Sequence, residues 1–101
     1  MPSAREMESK LIARCAEVAL GSGRAAQDPC EANVFALAAH VVHSRYAGER
    51  ENLMRASERY FAAHPDDRLG FSSVLEKGWI LGLPRLRDFL DREIEERRQV
   101  A

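Results

Sequence analysis

The chain has 101 residues, 46% of them hydrophobic, with Lys+Arg at 15 against Asp+Glu at 16 and a formal net charge of −1. One domain of this length lies near the lower limit for a self-sufficient core, and its apolar fraction argues against wholesale disorder. The charge balance argues against a generic nucleic-acid binder, which needs a basic surface, and equally against a nucleic-acid mimic, which needs an acidic one.

The opening MPSAREMESK holds no apolar leader segment. Ser3 and Glu6 have capping-box spacing, and Met7, Leu11, Cys15 and Val18 then recur at helical intervals. Ile12, Ala16 and Ala19 widen that stripe, while Arg5, Glu8 and Glu17 fall away from it. The pattern predicts a first helix over 4–20, closed by Gly21 just past its end. The polar stretch GSGRAAQ (21–27) is a linker long enough for the next helix to return antiparallel.

That second helix organises the rest. Asp28 stands at the N-cap, Pro29 at the first helical position and Glu31 at the third, a strong start signal. The run ANVFALAAHVV (32–42) is apolar on nearly every face, as in a buried helix, and far too short to span a membrane. The predicted central helix covers 29–47. A third follows over 49–64, with Leu53, Met54, Ser57, Tyr60 and Phe61 inward; Gly48 marks either a turn or a kink between the two. Pro65 ends the third helix, because the residue before a proline is pushed out of the helical region. Ser73 and Glu76 suggest a short fourth helix over 73–81, weakened at Gly78. Gly82 closes it, Leu83 is extended, and Pro84 opens a fifth helix over 84–98. There Leu86, Phe89, Leu90 and Ile94 face inward, and Asp88–Arg92 and Glu93–Arg97 form outward pairs. Residues 98–101 should fray. No stretch alternates as a strand does. The expectation is therefore an all-α single domain, a compact bundle of four to five helices around the buried central one, with the fifth along the outside.

Five kinds of chemistry can be weighed on this scaffold. A helix-turn-helix over 74–91 has suitable glycines and Arg85 and Arg87 for phosphates. Its second helix, however, carries Asp88, Asp91, Glu93, Glu95 and Glu96, with acids at Asp88 and Asp91 where the motif needs apolar residues. His40 and His43, three apart on a helix, could share a metal ion with Cys15 or Cys30, but there is no Cys-x-x-Cys pair, and hydrogen-bonded histidines suffice. Cys30 in the first helical turn gains thiolate character from the dipole and loses it to Asp28 and Glu31. No nucleophile, phosphate-loop or metalloprotease motif is present, so neither catalysis nor a cofactor or metal is expected. The fifth kind is a binding surface. Phe71, Trp79, Ile80 and Leu83 are more apolar surface than a small bundle readily buries, and a lone tryptophan among them suits a partner anchor. The competing reading has Trp79 plugging the open end of the bundle.

The sequence thus points to a non-enzymatic protein–protein interaction module, such as a small regulator, inhibitor or assembly factor. A protein partner is expected, and a homodimer is one form the association could take. A helix-turn-helix DNA-binding regulator is the first alternative and a thiol or metal sensor the second. Two cysteines are too few for a disulfide scaffold, and with no leader or membrane run the chain reads as cytoplasmic. Its 13 arginines to two lysines suggest a GC-rich bacterial or phage coding background.

Overall fold

The computed structural model describes residues 3–21 and 25–100; the central part of the expected linker, 22–24, lies outside them. Five α-helices follow in order: α1 Ala4–Ala19, α2 Pro29–Val41, α3 Ala47–Ala63, α4 Phe71–Glu76 and α5 Leu83–Val100, with one 3-10 turn at Pro65–Asp67. There is no strand among the described residues. The all-α expectation holds, and α2 is central: it contacts each of the other four helices, most extensively α3.

The helix starts follow the capping residues. Ser3 accepts the Glu6 N–H, and Asp28 Oδ1 accepts the Glu31 N–H at 2.8 Å. The reciprocal half of the second box is displaced by one residue, since Glu31 Oε1 takes the N–H of Gln27 instead of Asp28. Gly21, at φ +88°, closes α1 in the left-handed conformation that a glycine adopts freely. Arg14 ties the return of the chain by binding the Ala25 carbonyl and lying close to Glu17 and Glu31.

Tertiary contacts overrule the sequence at three boundaries. The central helix stops at Val41, not residue 47. Val42 turns extended (ψ 145°) and is buried, and the ring of Tyr46 is fully buried four residues later. The backbone groups freed by this break find partners elsewhere. Arg50 Nη2 donates to the Val42 carbonyl and the His43 N–H donates to Asp91 Oδ1, while the Tyr46 N–H turns back to the His43 carbonyl. The Tyr46 side chain is held separately, its hydroxyl donating to Glu95 Oε2 at 2.8 Å. Gly48 is accordingly neither a turn nor a kink; it lies within the first turn of α3, which starts at Ala47.

The second boundary concerns α4. It begins at Phe71 behind Gly70, not at Ser73, and ends at Glu76. Gly78 is no weak spot inside a helix reaching 81. At φ +75° it terminates the helix, and residues 79–82 form a bent connection. At the third boundary Leu83 is helical instead of extended, and α5 continues to Val100 instead of fraying from residue 98.

Packing corrects several facing assignments. Leu86, Leu90 and Ile94 are fully buried as expected, but α5 packs against α1 and α2 as a full member of the core, not along its outside. Glu93 and Arg97 pair; Asp88 and Arg92 do not, Asp88 lying by Arg87 and Arg92 over the Phe89 ring. Met54 and Met7 are exposed, whereas Ala26 and Ala56 are buried. Glu8, expected on the outer side of α1, is 1% exposed. Its two oxygens are fully used: Oε2 accepts the Leu81 N–H at 2.7 Å, and Oε1 accepts Arg85 Nη2 and Nε at 2.8 and 3.2 Å. A buried carboxylate is tolerable only when paired and hydrogen-bonded in this way.

Candidate interaction surface

The surface is built outward from Asn33, the one amide in the apolar run of α2. Its side chain is buried and bonded throughout: Nδ2 donates to the carbonyls of Pro29 and Asp67, and Oδ1 accepts the Leu69 N–H at 2.9 Å. A buried amide must find such partners, and these hold the segment after the 3-10 turn against α2. Gly70 is extended and launches α4 with Phe71 at its first position, 40% exposed. The Phe71 ring meets the exposed His40 ring of α2 at 4.9 Å between centroids, tilted by 45°.

Each ring of this pair lines a groove, Phe71 one and His40 another. The first, with a volume of about 320 Å³, runs beside α3. Ala36, Phe61 and Leu69 give it an apolar lining, and Met54 (43% exposed) and Phe71 border it. Glu58 and Arg68 also line it and pair at 2.6 Å, with the Arg68 guanidinium 4.4 Å from the Phe61 ring centre. The hydrogen bond from Arg68 holds the Glu58 carboxyl below its usual range, so the pair is charged at neutral pH. The second groove, about 360 Å³, is lined by His40, Val41, Leu83, Pro84 and Arg87. The His40–Phe71 pair is therefore a ridge between two grooves.

Of the four sequence-predicted anchors, two reach this face. Phe71 borders the first groove and Leu83 the second, joined through His40. Ile80 does not: at 2% exposure it is a core residue, unavailable to a partner. Trp79 is half-buried and packed on the core. The four stand out in the sequence as apolar surface that a small bundle does not readily bury, and the burial of Ile80 takes it out of that surplus. Two contributors were missed. Helical spacing places Met54 inward, and the sequence marks His40 only as a candidate ligand or a hydrogen-bonded histidine. The signal for Asn33 was present in the sequence as a single amide within an otherwise apolar run.

The other candidate chemistries meet specific geometry. Arg85 is bound to Glu8 and is not free for a phosphate, while Asp91, an acid where a DNA-reading unit needs an apolar residue, caps the His43 N–H. His43 lies beyond the end of α2, so it and His40 do not share a helical face. Its Nδ1 accepts the Arg45 N–H while His40 rests on Phe71. No group of three metal-binding side chains occurs among the described residues. Burial, then Asp28 and Glu31, push the Cys30 thiol up to about 11. Cys15 is fully buried, and burial raises its thiol well above the ordinary range. Both cysteines are thus protonated at neutral pH, the less nucleophilic form. No described helix is long and apolar enough to cross a membrane.

Comparison of the chain with protein-family models, with curated proteins and with solved structures finds no match to any of them.

Proposed function

We propose that the chain is a non-enzymatic protein–protein interaction module that binds through the His40–Phe71 ridge and its two flanking grooves. The observation carrying this reading is the exposure of Phe71 and Met54 beside an apolar groove anchored from beneath by the bonded Asn33. Large side chains exposed around a preformed apolar cleft are the usual makings of an interface core, with rim charges such as Glu58, Arg68 and Arg87 around it. In this role the chain is a regulator, inhibitor or assembly factor, acting by occupying a partner's surface.

The test is retention of partners from the native host by the wild-type chain and by a Met54→Glu/Phe71→Glu variant. Both side chains are exposed, so the variant keeps its helical circular dichroism. The proposal expects the wild type to hold a stoichiometric protein partner that the variant loses. Equal retention by both, or co-purifying nucleic acid with no protein, contradicts it.

A further inference from the structure

We propose that the partner docked on this face is a second copy of the same chain, related by a two-fold axis. The inference rests on the interaction reading and deepens it by naming the occupant. In a two-fold contact one patch must complement itself, so it has to carry both the projecting and the receiving parts. This patch does. Phe71 and Met54 offer exposed apolar surface at the border of a groove that is itself sized for side chains, the three α3 residues lining it (Met54, Glu58, Phe61) spanning about 10 Å at the helical rise. Phe71 of one copy enters the groove of the other, and the reverse contact follows from symmetry.

The charges point the same way. The first groove carries one acid and one base, Glu58 and Arg68, with side chains 51% and 49% exposed. Arg87, which lines the second groove, has the Asp88 carboxylate 3.9 Å away, the two side chains 57% and 67% exposed. A face built for a charged partner would carry one sign; this one balances each base with an acid, so that Glu58 can exchange its own Arg68 for that of the other copy. A net charge of −1 on the whole chain leaves little repulsion between copies.

Sedimentation of the full chain across a concentration series tests this. The wild type is expected to dimerise reversibly and Phe71→Glu to remain monomeric. Glu58→Arg and Arg68→Glu, each like-charged across the interface, should weaken self-association roughly tenfold or more. Mixing those two variants should restore an equimolar heterodimer, which repair of a contact within one chain cannot produce. Circular dichroism confirms that each variant folds. A wild type monomeric at every concentration overturns the inference; if that monomer still retains another protein through Phe71, the interaction reading survives, and if it retains none, both fall. A dimer indifferent to Phe71→Glu, or mixed variants that fail to pair, also overturns the inference.

Discussion

Glu8 shows how far a single side chain can depart from the pattern around it. Helical periodicity puts it on the outer side of α1, yet it is buried and holds both the Leu81 N–H and the Arg85 guanidinium. Nothing local foretells this, because its partners come from more than 70 positions away. The carboxylate fixes the bent connection 79–82 and the start of α5 onto α1, and so helps set where Leu83 and Pro84 stand beside His40. Glu8→Ala should cost about 2 kcal/mol. That is less than a fully buried pair would lose, because the Arg85 side chain is 40% exposed and can turn to water. Glu8→Gln keeps an acceptor for Leu81 and should cost about half as much. Urea denaturation of the three proteins checks the order; an unaffected Glu8→Ala would mean that the carboxylate contributes nothing.

At the scale of elements, helix starts were legible and helix ends were not. Ser3 and Asp28 act locally, each on an N–H three residues ahead, so sequence alone finds them. The end of α2 depends on Asp91 and Arg50, which accept or supply the hydrogen bonds that a helix through 42–46 would otherwise have made, and on Glu95, which holds the buried Tyr46 by its hydroxyl. The two misread glycines give a test of opposite signs. Gly48 lies in α3 with open space where a Cβ would go, so Gly48→Ala should stabilise by up to about 1 kcal/mol. Gly78 also has open space, but at φ +75° a side chain is strained, and Gly78→Ala should destabilise by about 1 kcal/mol or more. Had the fourth helix run through residue 78, alanine there would stabilise as well. Thermal denaturation distinguishes the cases, each 1 kcal/mol moving the Tm of a domain this size by about 4 °C or more.

At the scale of the whole molecule, the large apolar side chains open to solvent among the described residues include Met54 and Phe71 around the ridge, and Met7, Leu20, Leu81 and Val100 elsewhere. Met54 and Phe71 border a groove anchored by a buried amide and carrying balanced charges. Half of that face was legible, since Phe71 and Leu83 stand out as surplus apolar residues. Ile80 misled, because its burial depends on where the chain bends at Gly78, and Met54 misled because helical periodicity alone does not mark the edge of a stripe. The most direct measurement is a dilution series of amide chemical shifts on the isotopically labelled chain. Self-association through the ridge predicts concentration-dependent shifts centred on His40, Met54, Phe71 and Leu83, with Met7 and Leu81 unmoved. Shifts centred on Met7 and Leu81, or a spectrum unchanged at every concentration, would contradict it.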